Sequence, residues 1–249
     1  MCRQLAYLGP PVALRELLVT PPSGLYRQSW APRLQQHGTV NVDGFGVGWY
    51  AEGDPVPARY RRPGPVWADE GFADLTRVVR SGAVLAAVRS ATEGCAAGEQ
   101  AAAPFAAGRW LFAHNGVLPG WPEQLGGLAA LLPPAELLSL TARTDSALLW
   151  ALVLHRLRGG AELGEALADT VREVVKHSEG RLNLLLTDGS SLAATAWGDD
   201  LHHRSDPGAV LVASEPGDDR PGWQRVPDRS LLLATADGGV TVLPLDRTH

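Results

Sequence analysis

The chain has 249 residues, a hydrophobic fraction of 45% and a net charge of −5 at pH 7. That length fits one large domain or two small ones, with ample apolar material for a core. The negative balance argues against a nucleic-acid backbone as partner. No run approaches the ~18 apolar residues of a membrane span, and no basic segment followed by an apolar stretch marks a signal peptide. The two cysteines, Cys2 and Cys95, are too few for a secreted disulfide scaffold. These features describe a cytoplasmic globular protein with no nucleic-acid and no membrane partner. Lys176 is the only lysine, which points to a GC-rich genome, and eight Trp stand against four Phe and four Tyr. Trp in such quantity serves either a core or a ligand-binding wall.

Residues 3–8 read as a first strand, closed by Gly9-Pro10-Pro11. Residues 12–19 read as a short amphipathic helix stopped by Pro21-Pro22, and residues 23–42 as a polar, irregular loop. In residues 41–50 glycines alternate with Phe45, Val47 and Trp49. That pattern is a strand with one nearly bare face, made for close backbone approach to another layer or a ligand. Residues 52–65 form a loop or hairpin edge, and residues 69–81 a helix. Residues 83–88 form a buried strand that delivers Arg89, and residues 93–103 are small and flexible. Residues 109–113 form another strand, delivering His114-Asn115-Gly116.

Residues 122–143 carry two helical pieces broken by Gly and Pro. Residues 144–158 form a strong helix with Thr144 as cap and Asp145 in the first turn. A second helix covers residues 161–176. Residues 182–187, 191–197, 209–213, 230–235 and 240–243 read as strands, with hairpin turns at Asp188-Gly189 and Asp237-Gly238. No repeat and no clean linker divides residues 1–249, which read as one domain. Strands, then two helices, then strands predict an α+β fold, with antiparallel sheets burying each other and helices covering the outside.

Cys2 directly follows the initiator methionine. Removing Met1 leaves a thiol, with pKa near 8.5, on the same residue as a free α-amine, with pKa near 7.7–8.0. The amine can then take the thiol proton, as in N-terminal threonine enzymes. Three further segments can be given work around a γ-glutamyl amide. Asn115 and Gly116 can supply an oxyanion with a side-chain amide and a backbone N–H. Arg89 offers a bidentate cation for the substrate's α-carboxylate, and Asp145 a carboxylate for its α-ammonium. Taken alone, each has a plainer reading. Arg89 also reads as a salt-bridge residue, Asn115-Gly116 as a hairpin turn and Asp145 as an ordinary acid at a helix N-terminus. His114 also reads as a packed structural histidine, and Cys95 as incidental. No His/Cys/Asp cluster has metal-ligand spacing, so neither metal nor cofactor is expected.

In order and attachment, these segments resemble a class II glutamine amidotransferase domain of the N-terminal-nucleophile hydrolase superfamily. The resemblance implies a catalytic Cys2 and an Arg-x-x-Thr-x-Gly segment binding the glutamyl carboxylate, here Arg89, Thr92 and Gly94. It implies an oxyanion pair at Asn115 and Gly116, and an Asp145 that holds the glutamyl amine. It also implies a four-layer α-β-β-α sandwich. Met1-Cys2-Arg3, the segments 43–48, 87–92, 113–117, 181–183 and 195–199, and Ala213-Ser214-Glu215-Pro216 narrow it further. They resemble the ergothioneine-pathway branch of the family, which hydrolyses γ-glutamyl-hercynylcysteine S-oxide. Ser90 and Glu93 depart from the wider family pattern, which argues against glutamine as substrate. The implied leaving group carries a trimethylammonium. Such cations favour aromatic faces, which makes Trp30, Trp67, Trp197 and Trp223 candidates by residue type. The resemblance leaves three alternatives: a glutaminase subunit feeding a separate synthase, a non-catalytic γ-glutamyl-binding protein, and a different amidase of the superfamily acting on another γ-glutamyl or acyl amide.

Overall fold

The computed structural model describes residues 2–92 and 94–245. It contains thirteen strands: β1 (Arg3–Ala13), β2 (Phe45–Trp49), β3 (Ala58–Arg62), β4 (Arg80–Val88), β5 (Phe105–Ala107), β6 (Trp110–Val117), β7 (Arg181–Thr187), β8 (Ser191–Ala196), β9 (His202–Asp206), β10 (Ala209–Ala213), β11 (Gln224–Arg225), β12 (Ser230–Thr235) and β13 (Val240–Pro244). Seven α-helices accompany them: α1 (Leu14–Leu18), α2 (Leu25–Gln28), α3 (Gly71–Val78), α4 (Gly126–Ala129), α5 (Pro134–Leu138), α6 (Asp145–Arg158) and α7 (Leu163–Val174).

The strands form two antiparallel sheets, a seven-stranded one ordered β11-β9-β10-β1-β4-β2-β3 and a six-stranded one ordered β13-β12-β8-β7-β6-β5. Both faces of the central strands are buried, and side-chain alternation sorts them between two cores. Leu5 and Tyr7 of β1 and Val84, Ala86 and Val88 of β4 pack with Leu14, Leu18, Leu25 and Phe72 from α1–α3. Ala6, Leu8, Leu85 and Ala87 face the other way, into a core shared with Leu111, Leu184 and Leu186 of the second sheet and with α6 and α7. The result is the four-layer α-β-β-α sandwich, with α1–α3 on one outside face and α6–α7 on the other.

The bare face of β2 meets the second sheet. A Cβ on Gly48 would lie 2.7 Å from Leu111 Cδ1, and one on Gly46 would overlap the Ala103 carbonyl. α6 is capped as its sequence predicts, Thr144 Oγ1 accepting from Ala147 N at 3.1 Å.

Three expectations need correction. β1 does not stop at Gly9-Pro10-Pro11 but runs on to Ala13. The two prolines sit where the register with β4 shifts between Leu8 and Val12, a bulge at which no ladder N–H is required. The segment 23–42 contains the short helix α2. Asn115-Gly116 is not at a turn. It lies inside β6, paired with Asn183 and Leu182, because β7 offers a long apolar partner. Strands β5, β9 and β11 carry weak local patterns and owe their existence to the neighbours they pair with.

Candidate active site

The start of β1, the end of β4 and the end of β6 meet at one edge of the sandwich. Arg3 pairs with Val88, and Phe45 also pairs with Val88, so Cys2, Arg89 and Asp43 are brought side by side. The second sheet is tied to this edge by two bonds: Gln4 Nε2 donates to the Asn183 carbonyl at 2.9 Å, and Cys2 N donates to Asn115 Oδ1 at 3.1 Å.

Asn115 is fully buried. Its oxygen is committed to Cys2 N, which can only donate, so the amide orientation is fixed. Its Nδ2 has no partner among the described residues. A buried donor left unmade costs about 1–3 kcal/mol, so this one is held for something else.

Cys2 is half-buried, with Sγ 3.8 Å from the Ser90 carbonyl. Burial pushes its thiol above the ordinary range, and the Asp145 charge adds to this, while Arg89 opposes it. At rest the group is a thiol and needs a base. Beneath it, the deeply buried Arg3 donates through Nε to the Cys2 carbonyl at 2.9 Å.

Arg89 is 8% exposed and Asp145 4% exposed. Arg89 donates to the carbonyls of Asp43 (3.3 Å) and Ala96 (2.9 Å), so most of its five N–H groups are unused by the described residues. Asp145 Oδ2 accepts from Leu118 N at 3.0 Å, and Oδ1 accepts from Ser146 N at 2.8 Å and from Cys95 Sγ at 3.8 Å. Neither forms an ion pair with a described residue. A buried cation and a buried anion, neither paired with a described residue, both lie close enough to Cys2 for their charges to act on its thiol.

Gly94 takes a left-handed backbone, φ +81°, in the turn closed by Cys95 N to the Thr92 carbonyl at 3.1 Å. Ala96 N binds the Arg143 carbonyl at 2.9 Å, which draws this loop against the start of α6. Thr92 and Gly94 therefore flank the Arg89–Asp145 space. Cys95, which reads as incidental in sequence, lies against Asp145. Glu93 and Met1, and with them the removal of Met1, lie outside the described residues.

Gly116 is sterically required. A Cβ there would overlap the Arg181 carbonyl and come within 2.5 Å of His114 Nε2. The other residues of the sequence motifs frame the site. Asp43 Oδ2 accepts from Ala91 N at 2.7 Å. Asn183 accepts from Trp197 N at 2.9 Å and donates to the carbonyls of Asp199 and Asp200. The fully buried Glu215 accepts from Arg33 N and Leu34 N.

Three of the four candidate tryptophans already have an arginine on the ring: Arg27 on Trp30 at 5.2 Å, Arg229 on Trp197 at 5.5 Å and Arg204 on Trp223 at 5.2 Å. Trp67, 41% exposed, carries none among the described residues. Sequence reasoning gave no role to Gln4 or Ser146. Their only signal was proximity to Cys2 and Asp145.

The family model for class-II glutamine amidotransferases matches residues 25–210. The chain belongs to the class-II glutamine amidotransferases, an enzyme family with a cysteine nucleophile. Among curated proteins it is 43% identical over 245 residues to the gamma-glutamyl-hercynylcysteine sulfoxide hydrolase of Mycolicibacterium smegmatis, covering 98% of this chain and all of the relative. The protein of the same name from Mycobacterium tuberculosis H37Rv is 43% identical over 249 residues, covering 99% and 98%. Among solved structures, a glutamine aminotransferase class-II domain protein from Silicibacter pomeroyi superposes with TM-score 0.67 at 25% identity, covering 98% of this chain and all of that one. The glutamine phosphoribosylpyrophosphate amidotransferase of Bacillus subtilis shares the fold, with TM-score 0.69 at 16% identity over 99% of this chain and half of its own.

Proposed function

We propose that this protein hydrolyses the γ-glutamyl amide of γ-glutamyl-hercynylcysteine S-oxide, releasing glutamate and hercynylcysteine S-oxide in ergothioneine biosynthesis. The γ-glutamyl half rests on one observation: the buried Arg89 and Asp145, each without an ionic partner among the described residues, and both near enough to act on Cys2. A free α-amino-acid end brings a carboxylate and an ammonium together and would neutralise both. The leaving-group half is supported by the names of the full-length relatives at 43% identity. The chain acts as a single cytoplasmic domain on this small molecule, with no nucleic-acid or membrane partner. Among the described residues no helix is long and apolar enough to cross a membrane.

In the cycle, Met1 has been removed and the Cys2 α-amine sits beside Asn115 Oδ1, where the Cys2 nitrogen now lies. Through a water, the amine takes the Sγ proton. The thiolate adds to the γ-carbonyl while Arg89, with Thr92 and Gly94, holds the α-carboxylate and Asp145 holds the α-ammonium. Asn115 Nδ2 and the Gly116 N–H take the oxyanion. The proton passes to the departing amine, the C–N bond breaks and a γ-glutamyl thioester remains on Cys2. Water hydrolyses the thioester and frees the thiol.

The test is glutamate release, followed by mass spectrometry, from γ-glutamyl-hercynylcysteine S-oxide and separately from glutamine, with Cys2→Ala as control. Cys2-dependent release from the sulfoxide with glutamine poor is the expected result. Release from glutamine alone would make the protein a glutaminase subunit. Release from neither, with a free Cys2 verified, would leave the fold standing and the substrate assignment wrong.

A further inference from the structure

His114 is buried and bridges two parts of the site. Nε2 lies 2.9 Å from the Arg181 carbonyl, which can only accept, so Nε2 carries a hydrogen. Nδ1 lies 2.9 Å from Ser146 Oγ. Burial lowers the ring's affinity for a second proton, so Nδ1 is a bare acceptor and the single Ser146 hydroxyl hydrogen points at it. Ser146 Oγ also stands 3.4 Å from Asp145 Oδ1, a second acceptor for that same hydrogen.

The ring therefore decides where the hydroxyl points. With Nδ1 present, Asp145 accepts, among the described residues, from Leu118 N, Ser146 N and Cys95 Sγ. Its four or so lone-pair sites keep one place open, on Oδ2. Without Nδ1, the hydroxyl would turn to Asp145 Oδ1 and draw on the charge that the carboxylate presents at Oδ2. The same ring edge lies against the backbone of Gly116, where a Cβ would come within 2.5 Å of Nε2.

We infer that His114 is a positioning residue, which holds the Ser146 hydroxyl away from Asp145 so that this carboxylate stays free for the substrate's α-ammonium. The inference rests on the Asp145 role proposed above and adds a specificity device: preference for γ-glutamyl over des-amino acyl groups.

The test compares kcat/KM for γ-glutamyl p-nitroanilide and for glutaryl p-nitroanilide, which lacks only the α-amine. The ratio of the two reads ammonium recognition alone. His114→Gln keeps a donor for the Arg181 carbonyl but loses the acceptor for Ser146, and should lower the ratio about tenfold, the scale of one hydrogen bond to a charged group. His114→Asn keeps an acceptor near the Nδ1 position and should hold the ratio within about threefold. Adding Ser146→Ala to His114→Gln removes the competing hydroxyl and should restore the ratio.

A double variant no better than His114→Gln would overturn the inference and reduce the ring to packing. Asp145→Asn separates the levels. If it leaves the ratio unchanged, the Asp145 assignment falls and takes this inference with it. If it collapses the ratio while His114→Gln does not, only the inference falls. Should the His114 variants fail to fold, [15N]histidine NMR of the unaltered enzyme reads the tautomer directly. Protonated Nε2 with bare Nδ1 at neutral pH is expected, and the reverse tautomer or a doubly protonated ring would sink the inference.

Discussion

Two arginine–aspartate neighbourhoods, one at β9 and one where β4 ends near the start of α6, are equally buried and opposite in design. Near β9, Arg204 and Asp218 are each 8% exposed and pair at 3.2 Å. Arg220 adds a bond to Asp218 at 2.6 Å and Trp223 Nε1 another at 3.0 Å. Burial alone would raise Asp218, but the bonds from Arg220 and Trp223 outweigh it and hold the carboxyl at about 2. At the β1 edge, Arg89 and Asp145 are just as buried and neither has an ionic partner among the described residues. Burial of charge does not mark a functional site; burial without a partner does, because the missing counter-charge must come from outside.

The largest expected break in this comparison is Asn115→Ala. It removes a donor beside Cys2 that no described residue uses, so kcat should fall about 10²–10³-fold. Losing the single Oδ1 bond is offset by relief of the unsatisfied donor, so denaturant titration should find the variant no more than about 1 kcal/mol less stable than the parent. A kcat near the parent's would remove Asn115 from the oxyanion site.

Asp218→Ala should do the reverse. It removes the buried partner of Arg204, which keeps only the more exposed Asp206 at 3.1 Å among the described residues, and should cost about 1–3 kcal/mol in the same titration, while kcat is unchanged. Lost activity with retained stability would show that the two neighbourhoods are coupled.

Acid titration of stability should separate the buried histidines from the paired Asp218. Burial lowers the folded-state pKa of His114, His202 and His203 below 6.5. The unfolded chain takes those protons first, so stability is full above about 6.5 and falls as pH drops beneath it, by up to about 1.4 kcal/mol per unit per histidine. Asp218 contributes above its unfolded value of 3.8 and loses that contribution as pH falls towards 2. Two acid legs are expected in the denaturation midpoint, and Asp218→Asn should flatten only the lower one.

The smallest effect belongs to solvated pairs such as Lys176–Glu173 at 2.8 Å. Lys176→Ala should change stability by less than about 0.5 kcal/mol.

Much of the frame was legible in the chain itself. Glycine alternation in β2 required close approach to a second layer, Thr144 announced the cap of α6, and Asp188-Gly189 and Asp237-Gly238 marked real hairpins. In each case a local steric or hydrogen-bonding need leaves a short-range signature. The candidate residues Cys2, Arg89, Asn115, Gly116 and Asp145 were nameable in order, and their shared attachment to an N-terminal cysteine gave them meaning. Tertiary structure decided the rest. Only the pairing of β6 with β7 makes Asn115-Gly116 strand rather than turn, and only the loop's contact with α6 sets Cys95 against Asp145. Whether Arg89, Asp145 and Asn115 Nδ2 have partners is a fact about every surrounding segment, since a buried group is satisfied or left idle by residues up to a hundred positions away. The sequence by itself determined which groups could act; the fold determined which of them were left waiting for a ligand.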